Sequence, residues 1–291
     1  MSDAEIAAIR AMLQSRPRPV GLAARRERLD GLGAGYRLPA DVEIVSANAG
    51  GVPAEWTFTP GADRRRVILF LHGGGYMAGS IKSHRHVMAE AGRQARMRTL
   101  ALGYRLAPEH PFPAALDDAL TGYRFLLASG YDPASITLAG ESAGGGLALA
   151  VLITLRNEGA PLPGRVWCSS PWTDLTMSGD TMRTKADVDP LIQKPYLQEL
   201  AVAYLGGADP RGPLVSPLGA DLRKLPPMLI QTGSAETLLS DSLRLAAVAG
   251  AADVRVTLQV WPGMIHAWHL FHPQLAEGRA ALAEAGAFAR A

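Results

Sequence analysis

The sequence predicts an α/β protein built on an open, mostly parallel sheet, and three observations predict it. Short continuous apolar runs recur at 67–71, 99–102, 136–139, 166–169 and 228–230. Helical stretches separate most of them, at about 83–95, 113–129 and 143–157. A glycine-rich turn around Ser142 joins one run directly to a helix. Unbroken apolar runs are typical of strands buried on both faces of a parallel sheet. Repeated strand–helix alternation implies right-handed crossovers.

Taken in order, 3–14 carries apolar residues at helical spacing (Ile6, Ile9, Leu13), and Pro17 and Pro19 end it. A second, Arg-rich helix is expected over 20–30, broken by Gly31, Gly33 and Gly35. Neither belongs in a core sheet, so both are expected to form a lid. Alternation at 42–47 and 52–59 around Asn48-Ala49-Gly50-Gly51 predicts an antiparallel hairpin. A last strand at 254–260 and a helix at 273–289 complete a sheet of eight strands. One interval breaks the alternation. About sixty residues separate the runs at 166–169 and 228–230, far more than an ordinary connection. With helical patches near 178–185 and 193–205, it reads as an insertion. The expectation is a single domain over 1–291, capped by about 1–38 and 175–215.

Composition bounds the function. Among 291 residues, 48% are hydrophobic and 19% charged, which is globular. The net charge of +2 and scattered arginines argue against a nucleic-acid partner. Asp63-Arg64-Arg65-Arg66 is expected to be a solvated turn. No apolar run is long enough for stable membrane insertion, and the N-terminus lacks the pattern of a secretory signal. A cytoplasmic location is therefore expected. Cys168 is the only cysteine and lies in an apolar run, so inert core is its expected role.

Gly140-Glu141-Ser142-Ala143-Gly144 matches G-x-S-x-G in the strand–turn–helix context that gives the pattern meaning. A turn this tight strains its central residue and demands small neighbours. Ser142 would project its hydroxyl above the sheet as a nucleophile, which then needs a base, an acid and oxyanion donors. His266, in the loop after the last strand, is the candidate base. His269 and His272 follow at helical spacing and read as packing or surface residues. His84 and His86 begin a helix without a clear partner, and His110 lies in a Pro-rich loop. For the acid, Glu236 stands close to the end of the 228–230 strand. Asp241 competes, at a position where Ser240 or Asp241 would cap a helix. His72-Gly73-Gly74-Gly75-Tyr76 follows the third strand, and the N–H groups of Gly74, Gly75 and Ala143 would make a three-donor oxyanion hole. No metal or cofactor is called for: the three late histidines are spaced i, i+3, i+6, and no H-E-x-x-H occurs.

Together, His72-Gly73-Gly74-Gly75, Tyr104-Arg105-Leu106-Ala107-Pro108-Glu109, Pro111-Phe112-Pro113-Ala114-Ala115 and Gly140–Gly144 resemble the hormone-sensitive-lipase-like family of α/β-hydrolases, over about 66–270. The resemblance implies an α/β-hydrolase fold with a helical cap and a serine carboxylesterase acting on short- to medium-chain esters. It also implies Ser142 as nucleophile, His266 as base, and Gly74, Gly75 and Ala143 as oxyanion donors. Two departures stand out: Glu141 replaces the usual Asp before the serine, and Glu236-Thr237-Leu238 replaces Asp-Pro-Leu. The family's acid-to-histidine spacing favours Glu236 over Asp241. A homodimer through the last strand and its helix is implied by resemblance alone. The same triad would also serve a lactone or an acetyl-amide.

Two readings of other classes are weighed. A dinucleotide-dependent oxidoreductase matches Gly73–Ala78 but lacks the acid at the end of the next strand. A non-catalytic binding protein on a hydrolase fold is expected to lose the base or nucleophile, and both are present. Trp172, Met177, Met182 and Tyr204 are candidates for pocket lining.

Overall fold

The structure, a computed structural model, describes residues 2–291; Met1, where the expected domain and cap begin, lies outside the described residues. Two helices open the chain, α1 (Ser2–Gln14) and α2 (Leu22–Ala34), followed by the hairpin β1 (Glu43–Ala49) and β2 (Val52–Phe58). The alternation then runs β3 (Asp63–Leu71), α3 (Ile81–Ala95), β4 (Met97–Leu102), α4 (Ala114–Ala128), β5 (Ile136–Glu141), α5 (Ala143–Asn157) and β6 (Arg165–Ser169). The long interval holds α6 (Thr181–Thr184) and α7 (Lys194–Leu205). The chain closes with β7 (Met228–Gly233), α8 (Leu239–Ala251), β8 (Val256–Trp261) and α9 (Ala276–Arg290).

All eight strands join one sheet, in the order β1-β2-β4-β3-β5-β6-β7-β8. β2 is antiparallel to both neighbours, and the other pairings are parallel. β3 illustrates the apolar runs. Val67, Leu69 and Leu71 enter the core beneath α4 and α5, while Ile68 and Phe70 enter the core beneath α1, α3 and α9. A strand covered on both sides has no place for alternating polar residues.

Two local expectations are corrected. β3 begins at Asp63, so the expected turn at 63–66 is extended chain. Asp63 N–H donates to Arg96 O at 2.8 Å, and the register shifts before Val67. α2 does not stop at Gly31 but continues through Gly33. Gly33 is where α2 crosses α3: a Cβ there would stand 2.2 Å from Ser83 O. Close approach of two helices, not helix termination, explains this glycine.

Candidate active site

β5 ends at Glu141 and α5 begins at Ala143, so Ser142 makes the turn alone. Its backbone lies at φ 54° and ψ −119°, a region that costs of order 1–3 kcal/mol for a residue with a side chain. The neighbours are small for steric reasons. A Cβ on Gly140 would stand 2.1 Å from Gly144 O, and one on Gly144 would stand 2.0 Å from Leu71 O.

β5, β7 and β8 are near neighbours in the sheet, and their carboxyl ends deliver the other groups. His266 Nε2 lies 3.0 Å from Ser142 Oγ, and His266 Nδ1 lies 2.7 Å from Glu236 Oε2. The imidazole therefore donates from Nδ1 to the carboxylate and accepts the serine hydroxyl at Nε2. Glu236 is fully buried. Its other oxygen accepts from Gly233 N–H at 2.7 Å, Thr232 Oγ1 at 2.5 Å and Ser170 Oγ at 3.1 Å. Those bonds fix the carboxylate and satisfy it out of water.

Asp241 is aimed elsewhere. It lies in the first turn of α8 without capping it; its Oδ2 accepts from Thr173 N–H at 2.8 Å and Asp174 N–H at 3.0 Å. Burial pushes its pKa up to about 7 against the pull of those N–H groups. Asp241 holds the 173–174 loop and does not meet His266 by hydrogen bond.

Three groups near the site are not apparent from sequence pattern. Glu141 Oε2 accepts from His84 Nε2 at 2.8 Å, so His84 does have a partner, and Glu141 Oε1 lies 3.6 Å from His266 Nε2. A Cβ on Gly73 would fall 2.0 Å from Glu141 Oε2. Asp189, buried in the segment between α6 and α7, accepts from Thr237 N–H at 2.8 Å through Oδ2 and from Leu191 and Ile192 N–H at 2.9 and 3.0 Å through Oδ1. It thereby ties that segment to the residue next to Glu236. Burial alone would depress the His266 pKa, but the bond to Glu236 and the charges of Glu236, Glu141 and Asp189 outweigh it. The net result is a rise to about 9.

Three further histidines are structural. His269 lies in a short 3₁₀ turn, Trp268–Phe271. Its Nε2 donates to Gln231 Oε1 at 2.9 Å and its Nδ1 faces Ser169 Oγ at 2.7 Å. His86 donates to Leu270 O at 2.8 Å, and His72 donates to Gly73 O at 2.8 Å. Cys168 is fully buried, and burial pushes its thiol up to about 12.

Gly74 and Gly75, after β3, adopt φ 115° and 65°. The N–H groups of Gly74, Gly75 and Ala143 meet no protein acceptor among the described residues. That of Ala143 is one of the orphan donors at the start of a helix, where the dipole also favours negative charge. Gly74, Gly75, Ser142 and His266 share a cavity of about 440 Å³. Its walls come from α1 and α2 (Leu13, Leu29, Leu32) and from the long interval (Leu191, Tyr196, Leu200). Of the four expected lining residues only Trp172 lines it. Met177, Met182 and Tyr204 are buried core, and Tyr204 stacks on Tyr76 with ring centroids 3.7 Å apart.

A family model for the α/β-hydrolase fold matches residues 68–270. The crystal structure of an esterase from the bacterial hormone-sensitive lipase family superposes with a TM-score of 0.96 at 44% identity, over 99% of this chain and 97% of the other. The chain belongs to the hormone-sensitive-lipase-like family of α/β-hydrolases. This hydrolase is also 47% identical to an acetyl-hydrolase of Streptomyces hygroscopicus over 252 residues, 87% of this chain and 83% of the other. It is 36% identical to an esterase of Acinetobacter venetianus over 229 residues, 78% of this chain and 76% of the other. Among the described residues, no helix is long and apolar enough to cross a membrane.

Proposed function

We propose that the chain is a serine carboxylesterase that hydrolyses short- to medium-chain esters through an acyl-enzyme. The observation that carries the reading is the unbroken line from Ser142 Oγ to His266 at 3.0 Å and from His266 to Glu236 at 2.7 Å. Within it, His266 removes the Ser142 proton as the hydroxyl attacks the ester carbonyl. The developing oxyanion accepts from the N–H groups of Gly74, Gly75 and Ala143. Glu236 holds the imidazole tautomer and stabilises the imidazolium. His266 then protonates the leaving alcohol, and water, deprotonated by the same imidazole, releases the acid. The segments at 2–38 and 175–215 act as a cap whose side chains define the space for substrate. Similarity to the acetyl-hydrolase supports the short end of that range.

Hydrolysis of p-nitrophenyl esters from acetate to palmitate tests this. Rapid turnover of short chains is expected. Ser142→Ala should lower kcat by on the order of 10⁴–10⁶-fold, and Glu236→Gln by about 10⁴-fold through loss of the correct tautomer. Full activity in Ser142→Ala would reject the mechanism. Absence of turnover by the folded wild-type chain at every length would favour a lactone or acetyl-amide substrate, or a binding protein on a hydrolase fold.

A further inference from the structure

The wall of the active-site cavity carries an excess of positive charge that the esterase chemistry does not use. Arg16, Arg18, Arg25 and Arg28 all line it. Among the described residues Glu141 is the only carboxylate in the lining, and it sits at the floor between His84 and His266. Of the four arginines, Arg25 alone is ion-paired among the described residues, to Glu199 at 2.6 Å. That carboxylate is half exposed, so the pair neutralises little. Elsewhere the fold gives arginines their own carboxylates: Arg85 with Glu55, Arg93 with Asp41, Arg105 with Asp118, Arg244 with Asp174.

Three of the four are also held in place. Arg28 donates to Pro17 O at 2.5 Å and Arg25 Nε to Pro19 O at 3.1 Å. Arg18 donates to Leu191 O and stacks on Tyr196, its guanidinium carbon 3.4 Å from the ring centroid. Arg25 lies 5.4 Å from the same centroid. A guanidinium has five N–H donors, so each anchoring bond leaves donors free for a second partner. Stapling the chain needs donors but not accumulated charge. Arg25 and Arg28 stand at i, i+3 on one face of α2, where like charges disfavour the helix. The Arg18 pKa is lowered by burial and, against the pull of Tyr196 and Glu199, by the neighbouring Arg25 and Arg28. Four clustered cations with one exposed carboxylate are complementary to an anion.

We infer that this arginine cluster binds an anionic group of the substrate, so that the preferred esters carry a carboxylate, sulfate or phosphate on the part reaching the cap. The inference rests on the esterase reading and narrows it. Arg16 and Arg28 have no carboxylate partner to lose, so a ligand anion gains their charge without breaking an ion pair.

Two matched ester pairs test it. In p-nitrophenyl hexanoate and mono-p-nitrophenyl adipate the acyl chain ends in a methyl or a carboxylate. In phenyl acetate and 4-acetoxybenzoate the leaving alcohol is neutral or carboxylated. The readout is the anionic-to-neutral ratio of kcat/KM, which divides out losses common to both esters. In the double variant Arg16→Gln/Arg28→Gln, the ratio in at least one pair should fall about tenfold, and the pair affected tells whether the acyl or the alcohol side meets the arginines. In the wild-type chain, raising salt from about 0.01 M to about 1 M should lower the same ratio by screening, a check that does not depend on the variant folding. Ratios unmoved by both the substitutions and salt, with Ser142-dependent turnover of the neutral esters intact, would overturn the inference. No turnover of any of the four esters would instead overturn the esterase reading, and this inference with it.

Discussion

At His266 two opposing effects meet. Burial disfavours the imidazolium, while Glu236, Glu141 and Asp189 surround it with negative charge and hold its pKa up at about 9. A general base acts only when neutral. The proposed chemistry therefore predicts that kcat/KM for a neutral p-nitrophenyl ester rises with pH through the neutral range and levels off near pH 9. Glu141→Gln removes one of the raising charges, 3.6 Å from Nε2, so the limb should move to lower pH. A pH–rate profile of both proteins checks this; an unmoved limb would mean that Glu141 serves packing against Gly73 and His84 rather than the field at the base. At this scale the sequence is readable where chemistry is local. Ser142 is marked by glycines two positions away on either side, and Gly74 and Gly75 by their place after a strand. Glu141 and Asp189 are not readable, because their partners His84 and Thr237 lie 57 and 48 positions away.

Among the elements, α2 shows where propensity gives way to packing. Glycine weakens a helix by about 1 kcal/mol relative to alanine, which is why Gly31 and Gly33 look like an end. The helix nonetheless continues, and the two glycines differ in what surrounds them. A Cβ at Gly31 meets nothing within 4 Å, whereas one at Gly33 collides with the backbone of Ser83. The two alanine substitutions should therefore have opposite signs. Gly31→Ala should stabilise by up to about 1 kcal/mol. Gly33→Ala should destabilise by about 1–3 kcal/mol as α2 is pushed off α3. Denaturant unfolding of both variants measures this, and a stabilising Gly33→Ala would remove the close-packing account. Because α2 also supplies Leu29 and Leu32 to the cavity wall, the same displacement should raise KM. The sheet strands were legible from their apolar runs, while the boundaries at Asp63 and Ala34 were set by tertiary contacts that no local pattern contains. For the same reason the cavity lining was mostly unreadable: Trp172 faces the site and Met182 the core, though both read simply as large apolar residues.

Across the whole molecule, the same burial that shapes the site sets a window of pH. His72, His86 and His269 are buried and neutral, each with its pKa pushed down to about 3, burial being the largest cause. In the unfolded chain each titrates near 6.5. Below that pH the unfolded state binds three protons that the folded state refuses. Asp241 works the other way, since its pKa of about 7 lets the folded state keep a proton that an unfolded aspartate releases until about pH 4. For these four groups, three minus one leaves two protons taken up on unfolding, so together they should lower stability by about 3 kcal/mol per pH unit below about 6.5. His266 has the same sign as Asp241: its raised pKa contributes stability that is complete below about 6.5 and lost as pH rises through about 9. Stability should therefore peak near neutral pH while esterase activity climbs toward pH 9, and the two optima should separate. Urea unfolding midpoints across that range, set beside the pH–rate profile, test the separation. A midpoint flat from pH 7 to pH 5 would mean that the buried histidines accept protons within the fold, and with that the neutral tautomers of His72, His86 and His269 would have to be abandoned.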